Sequence, residues 1–215
     1  IIVIEVQYLL NTLRDLTFDN IYHEHTNYWS LQTLNKFLGN LGLIIFKAEK
    51  IQTHGGSIRI YVTKKCNKNK RLSNKLINQM NYELKLGINK EYYYSKFNRE
   101  ITKYKKNFTK KISLIGSNKK IYGYGAAAKS CTFIHYMDLQ KHIKAIYDKN
   151  TYKQGKFIPN TKIPILSPNE IKNDKPDYII VFIWNLKNEI IKELKYTRKW
   201  GAKIIFCLPK FEIIK

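Results

Sequence analysis

The stretch KKIYGYGAAAKSCTFIHYM, residues 119–137, decides the fold of the second half of the chain. A short apolar run leads into a glycine turn and then into a helix-forming segment. Gly123, Gly125 and Ala128 fit the GxGxxG/A pattern, in which glycines let the backbone approach a phosphate at a helix N-terminus. Asp148 ends the next apolar run, where a ribose-binding acid is expected. The pattern favours nucleotide-type binding, and a tight strand–helix turn without a ligand is the alternative.

Three further apolar runs follow this turn and read as strands. They are IKAIYDKN (143–150), DYIIVFIW (177–184) and AKIIFCLP (202–209). The segment NLKNEIIKELKYTRKWG between the last two reads as a helix with a glycine stop. Strands that alternate with helices predict a parallel, right-handed α/β sheet, with the nearly apolar DYIIVFIW at its centre. Residues 118–215 are therefore expected to form a Rossmann-like domain.

The first 64 residues predict a different sheet. The opening run IIVIEV reads as a strand buried on both faces, which needs neighbours on either side. Residues 30–42 form a helical pattern with Ser30 as its N-cap. Two strand patterns follow within residues 43–64, joined by a loop that carries His54 and paired glycines. We expect an antiparallel pair in the same sheet as residues 1–6.

Residues 65–117 are rich in lysine and contain no proline. Two helical patterns cover most of this stretch, which we interpret as a connector between the two sheets. Its simplest form is a solvated helical arm.

Composition excludes several classes of protein. The chain has 215 residues and a formal net charge of +23, which raises the possibility of nucleic-acid binding. Its lysines are scattered rather than striped, so a solvated basic surface is the better interpretation. The three cysteines, Cys66, Cys131 and Cys207, form no CxxC pair and indicate neither a zinc knot nor a disulfide framework. No apolar run approaches the length of about 20 residues that a membrane span needs. We expect no nucleic acid, no membrane and a reducing, cytoplasmic location.

The stretch FDNIYHEHTNYWSL, residues 18–31, places two histidines around a glutamate. In an extended backbone His23 and His25 would share one face, and a turn would break that alternation. Metal binding would need a third ligand, for which His54 is the candidate, and we predict no metal. A structural polar turn and an acid–base site remain, and histidine suits acid–base work because its usual pKa lies near neutrality.

Together these motifs resemble the sugar C-methyltransferases, which act on nucleotide-linked keto-deoxysugars with S-adenosylmethionine. The resemblance runs in order from Ile1 to about Pro209, and the charged connector matches poorly. The stretches that carry it are FDNIYHEHTNYWSLQTL, THGGSIRIYV, GYGAAAKS, YDKNTYKQGKFIPNTKIPI, PDYIIVFIWNLKNEI and WGAKIIFCLP.

The resemblance implies three segments in the family: a zinc-binding N-terminal segment, a class I methyltransferase domain and a Rossmann-like C-terminal domain. Residues 1–64 then correspond to the end of the methyltransferase sheet, residues 65–117 to the helical connector and residues 118–215 to the C-terminal domain. The family's zinc-ligating cysteines and S-adenosylmethionine loop have no counterpart here. We therefore expect this chain to be inactive alone, and a separate chain with the missing N-terminal half is a possible partner.

By the same resemblance, His25 is the base that removes the proton next to the ketone, and Glu24 and Tyr22 position it or stabilise the enolate. His23 is the less favoured histidine. The resemblance implies Asn27, Tyr28, His54, Ser57 and Arg59 as substrate-binding residues. The glycine-turn pattern adds the candidates Gly123, Gly125, Ala126, Lys129 and Asp148. The alternative function is a nucleotide-sugar-binding or dinucleotide-binding Rossmann-like module without catalysis.

Overall fold

The computed structural model describes the chain except residues 68, 70 and 117, and of His54 it describes the backbone alone. The strands are β1 (Ile2–Gln7), β2 (Leu43–Ile51), β3 (Ser57–Lys64), β4 (Ile121–Tyr124), β5 (Ile146–Tyr147), β6 (Ile165–Leu166), β7 (Tyr178–Val181), β8 (Lys203–Phe206) and β9 (Glu212–Ile214). The α-helices are α1 (Leu9–Arg14), α2 (Leu31–Asn40), α3 (Asn74–Leu86), α4 (Glu91–Ser113), α5 (Ala128–Tyr136), α6 (Ile171–Asp174) and α7 (Lys187–Glu193). Among the described residues, no helix is both long and apolar enough to span a membrane.

Contacts divide the chain into two compact units. Unit 1 comprises Ile1–Thr17 and His25–Ile101, and unit 2 comprises Phe18–Glu24 and Thr102–Lys215. The chain therefore enters unit 2 at Phe18, returns to unit 1 at His25 within the histidine motif, and enters unit 2 again within α4. The division at residues 64 and 117 stays a prediction, since it concerns which family domain each segment comes from.

In unit 1, three strands form an antiparallel sheet in the order β1-β3-β2. This confirms the predicted pair within residues 43–64 and its sheet with residues 1–6. However, Ile2 and Val3 are 49% and 54% exposed. The prediction that this first strand is buried on both faces is wrong: β1 is an edge strand paired with β3, and no described element packs over the side chains of Ile2 and Val3.

Helix α2 begins where the sequence predicts. The Ser30 hydroxyl accepts a hydrogen bond from the Thr33 amide at 3.1 Å, and the Thr33 hydroxyl accepts one from the Ser30 amide at 2.9 Å. This reciprocal cap satisfies two amides that a helix start would leave open. The buried leucines of α2 pack in one core with β2 and β3.

Helix α3 also belongs to the core of unit 1. Leu76 in α3 and Ile88 just after it are 1% and 2% exposed. The expectation of a solvated helical arm is therefore wrong for this part of the connector, because its apolar residues form a stripe that packs on the sheet.

In unit 2, six strands form one sheet in the order β6-β5-β4-β7-β8-β9. The first five run parallel and β9 runs antiparallel to β8. The predicted parallel α/β sheet with DYIIVFIW inside it is confirmed. From β4 the chain turns one way to β5 and β6, and from β7 it turns the other way. The order thus reverses between β4 and β7, which is where ligands of such sheets bind.

The predicted glycine turn lies at this position. Strand β4 ends at Tyr124 and α5 begins at Ala128, so Gly125 and Ala126 lie in the turn and Gly123 lies in the strand. The short strands β6 and β9 and helix α6 were not predicted. Each has four residues or fewer, too few to show a period in the sequence.

Candidate functional site

The histidine motif lies in a turn rather than a strand. Residues 22–24 form a bend and a turn between the one-turn 3-10 helix Phe18–Asn20 and helix α2. His23 Nε2 lies 3.9 Å from Glu24 Oε1, and both side chains are exposed. The turn breaks the alternation that would place both histidines on one face. Among the described residues, no three His, Cys, Asp or Glu side chains form a group that could hold a metal ion.

The residues after the motif belong to unit 1. The His25 and Tyr28 side chains are half-buried and both take part in contacts. Asn27 is exposed, and its side-chain amide donates to Thr26 Oγ1 at 3.2 Å. The side chain of His54 lies outside the described part of the chain. The structure thus leaves the predicted base half-accessible while the neighbouring His23 is fully exposed.

Ser57 and Arg59 lie on β3 and join a polar network on the sheet. Arg59 Nη2 and Nε donate to Glu5 Oε2 at 2.8 and 3.0 Å, across the β1–β3 pair. Thr53 Oγ1 donates to Glu5 Oε1 at 2.7 Å and to Ser57 Oγ at 3.2 Å. Arg59, predicted to bind substrate, therefore already has a carboxylate partner, and the hydrogen bonds to Glu5 raise the pKa of Arg59 above the usual range.

The two glycines of the β4–α5 turn are explained by packing. A Cβ on Gly123 would lie 2.7 Å from Ile146 and 2.8 Å from Phe182. Gly125 has a φ of +91°, and a Cβ there would lie 2.8 Å from Ile183. Neither glycine borders an open space, so the turn has the geometry of the tight strand–helix connection that the sequence left as an alternative.

Asp148, which follows β5, holds this turn in place by hydrogen bonds. Its Oδ2 accepts a hydrogen bond from the Ala126 amide at 2.7 Å, and its Oδ1 accepts one from the Asn150 amide at 2.8 Å. Lys153 Nζ donates to the Ala126 carbonyl at 2.8 Å and lies 3.6 Å from the same carboxylate. Asp148 therefore holds the turn in the described structure, with both carboxylate oxygens in use.

Lys129 lies at the first turn of α5 and reaches the residues after β7. Its Nζ donates to Asn185 Oδ1 at 3.0 Å and lies 4.8 Å from the ring centroid of Trp184. Burial lowers the pKa of Lys129, and the nearby charge of Asp19 opposes that shift. A half-buried cation therefore marks the carboxyl edge of the sheet between β4 and β7.

Asp19 is the residue that sequence reasoning missed. It is 1% exposed, and its Oδ2 accepts a hydrogen bond from Trp184 Nε1 at 2.6 Å. Its Oδ1 has no hydrogen-bond partner among the described residues. Burial raises the pKa of Asp19 to about 6, while Trp184 and the Lys129 charge oppose the rise. The sequence offered one signal for this site: Trp184 and Asn185 follow the carboxyl end of a central parallel strand, where ligands of such sheets bind.

Comparison with known protein families identifies the domain that contains most of these elements. Residues 52–209 match the C-methyltransferase C-terminal domain family, which is more than half of the chain. The chain belongs to this family. The resemblance to C-methyltransferases in the sequence is thereby confirmed.

This C-methyltransferase C-terminal domain also has a curated relative. The chain is 28% identical over 213 residues to the C-methyltransferase NovU of Streptomyces niveus. The match covers 98% of this chain and 50% of NovU, so the chain spans about half the length of that relative.

A methyltransferase implies S-adenosylmethionine as methyl donor, and the chain offers one glycine-rich strand–helix turn that could be compared with such a site. In that turn Asp148 occupies the Ala126 amide, and Ile183 fills the space beside Gly125. The described residues of this turn therefore do not fit the cofactor.

Proposed function

We propose that this chain supplies substrate binding and proton chemistry to the C-methylation of a nucleotide-linked keto-deoxysugar. The observation that carries the proposal is the family match, together with the Tyr22–His25 turn just ahead of the matched residues. That turn presents a tyrosine, a carboxylate and two imidazoles without burying them. Such groups are the ones that proton transfer at a carbon next to a ketone requires.

His25 is the proposed base. Removing the proton from the carbon beside the ketone leaves an enolate whose negative charge is on oxygen. The Tyr22 hydroxyl can donate a hydrogen bond to that oxygen, and Glu24 can orient the imidazole. In the described structure Glu24 lies 3.9 Å from His23 Nε2, so the assignment of His25 over His23 rests on the family resemblance.

The remaining proposed substrate contacts come from both halves of the sequence. Arg59 is the candidate for the diphosphate, since a guanidinium has five donors and Glu5 engages two of its nitrogens. The other proposed contacts are Asn27, Tyr28, His54, Ser57, Gly123, Gly125, Ala126, Lys129 and Asp148. Engagement of Asp148 or the Ala126 amide would require their mutual hydrogen bond to open.

The methyl donor is left out of this assignment. S-adenosylmethionine supplies an electrophilic methyl group in this chemistry. Because the residues of the β4–α5 turn do not fit it, no step through the cofactor is given to this chain. Methyl transfer by the chain alone is not expected.

Proton chemistry can be tested without a methyl donor. The chain is incubated in D₂O with a nucleotide-linked 4-keto-6-deoxysugar, and the signals of protons beside the ketone are followed by NMR. We expect deuterium to enter at one such carbon faster than in buffer, and His25→Asn to abolish the difference while His23→Asn retains it. Exchange no faster than in buffer, with the sugar nucleotide bound, would contradict the proposed base.

A second candidate function is a binding module without catalysis. The half-buried Lys129 at the start of α5, at the reversal of strand order, favours it. Calorimetric titration with the sugar nucleotide and with the nucleoside diphosphate separates the two. A module predicts tight binding of both ligands, weakened by Lys129→Met, with no deuterium exchange in any variant.

A further inference from the structure

Three separate contacts join residues 18–21 to helix α5 within unit 2. The ring of Phe18 stacks on Phe133 with centroids 5.5 Å apart and packs on Tyr136 at 5.0 Å. Thr132 Oγ1 donates to the Ile21 carbonyl at 3.3 Å. These contacts place the residue before Tyr22 against α5.

The strongest of the remaining contacts is polar and buried. Asp19 Oδ2 receives the Trp184 indole N–H at 2.6 Å, the short distance typical of a charge-assisted hydrogen bond. Lys129 links the same tryptophan to α5, with its Nζ 4.8 Å from the ring centroid. Trp184 follows β7 and Lys129 follows β4, so Asp19 is connected to both strands at which the order of the sheet reverses.

Stability alone does not account for a carboxylate at this position. A buried charge whose second oxygen lacks a partner costs free energy, and an apolar side chain of similar volume would cost less. A charge-assisted hydrogen bond does provide strength and direction, which an apolar contact does not. The carboxylate therefore favours one geometry of the segment at the expense of overall stability.

We propose that Asp19 is a positioning residue, which holds Tyr22 and Glu24 beside the carboxyl ends of β4 and β7 through its hydrogen bond to Trp184. It acts through the backbone of residues 19–22 and does not itself touch the substrate. The role of Tyr22 and Glu24 rests on the proposed function, whereas the anchoring of their segment does not.

The proposal has a signature that a purely structural role lacks. Asp19→Leu removes both the buried charge and the anchor, so the chain should become more stable while residues 21–24 become less ordered. Trp184→Phe removes the donor and leaves a smaller buried ring, so stability should fall and the same segment should loosen. Tyr147→Phe is the matched control. The Tyr147 hydroxyl donates a hydrogen bond at 2.7 Å to the carboxylate of Asp174, which lies in the same unit but on α6. It should lower stability without loosening residues 21–24.

Hydrogen–deuterium exchange on the whole chain, followed by NMR, measures the segment, and urea unfolding at pH 7.5 measures stability. In Asp19→Leu and Trp184→Phe we expect the Ile21 amide, which donates to the Phe18 carbonyl at 2.9 Å, to exchange about tenfold faster or more, the size of a lost hydrogen bond to a charged group. Strands β4 and β7 should keep their protection in Asp19→Leu. Unchanged exchange of the Ile21 amide in both variants would overturn the proposal, as would exchange that simply follows global stability across all three.

The two hypotheses can fail separately. If deuterium enters the keto sugar normally in a Tyr22→Phe, Glu24→Gln double variant, the proposed function is wrong for these residues, while the exchange data still decide the anchor. If the anchor holds and the chemistry is confirmed, Asp19→Leu should lower the rate of deuterium entry at saturating sugar nucleotide more than it changes the affinity. Asp19→Asn, which keeps an acceptor for Trp184, should restore most of the rate.

Discussion

The indole of Trp184 donates a hydrogen bond to the buried carboxylate of Asp19, which lies 165 residues earlier in the chain. The carboxylate has a pKa raised to about 6 by burial, from an ordinary value of 3.8. Since the folded state holds this proton more tightly than the unfolded state, the contribution of Asp19 to stability is largest below about pH 4. It is lost as the pH rises through 6.

The first prediction is the pH dependence of stability. Between pH 4 and pH 7 the unfolding free energy of Asp19→Asn should gain on that of the native chain by about 3 kcal/mol, from a pKa difference of about 2. Urea titrations of both chains at half-unit pH intervals measure this difference. Comparing the two chains cancels the effect of the other carboxylates on the free energy of unfolding. Asp177 is one of these, and its lowered pKa makes stability fall as the pH falls. Parallel pH profiles would show that Asp19 does not titrate in this way.

The second prediction rests on the proposed function and concerns methyl transfer by this chain together with a segment that binds the methyl donor. Replacing His25 by Asn should lower the rate of methyl transfer by about 10²–10⁴-fold, which is the usual size of general-base catalysis. His23→Asn is the matched control and should have a much smaller effect. Affinity for the sugar nucleotide should change little, because the base acts on a carbon-bound proton. Near-normal turnover of His25→Asn, measured with a radiolabelled methyl donor, would contradict the assignment.

The third prediction tests the buried carboxylate of unit 1. Glu83 is 0% exposed and accepts hydrogen bonds from the Tyr8 hydroxyl at 2.6 Å and from the amides of Leu31 and Gln32 at 2.8 and 3.0 Å. Glu83→Ala should destabilise the chain by about 3 kcal/mol or more, because it leaves these donors unsatisfied at the start of α2.

Two milder variants set the scale for that measurement. Tyr8→Phe removes one of the three hydrogen bonds and should cost about 1–2 kcal/mol. Glu49→Ala, which breaks an exposed pair with Lys47 and one hydrogen bond from the Tyr61 hydroxyl, should change the urea midpoint far less. If Glu83→Ala unfolds no more easily than Glu49→Ala, Glu83 does not hold α2.

The fourth prediction compares two glycines. Gly125→Ala should destabilise unit 2 by about 2 kcal/mol or more, because φ is +91° and the new Cβ would meet Ile183 at 2.8 Å. Gly39→Ala has nothing within 4 Å and lies in α2, so it should stabilise by about 0.5 kcal/mol. Thermal unfolding of both variants checks the pair, and a neutral Gly125→Ala would mean that the turn is not tightly packed.

Much of the fold was predictable because its signals are local. The Ser30 cap of α2 and the strand–glycine–helix order around Gly125 depend on residues within a few positions of one another. The sheet containing β1 was predicted from its apolar residues, although the exposure of Ile2 and Val3 was not. The solvated arm was a wrong interpretation for α3, because the lysine-rich composition of the connector as a whole obscured the apolar stripe of this helix.

The candidate site was predicted less completely. The Tyr22–His25 motif was found, and its turn was one of the open alternatives. Asp148 and Arg59 were chosen as ligand contacts, and in the structure their partners are Ala126 and Glu5. Such pairings are invisible in a sequence, because nothing local marks which distant group a charged side chain meets.

The sequence by itself determined the two sheets, the order of their longer elements and the family, since periodicity, turn residues and motif order are local properties of the chain. The tertiary structure alone decided that Asp19 meets Trp184 and that Glu83 caps α2. Each of these contacts joins residues at least 51 positions apart. Their energies arise from burying a charge beside specific donors, and burial exists only once the chain has folded.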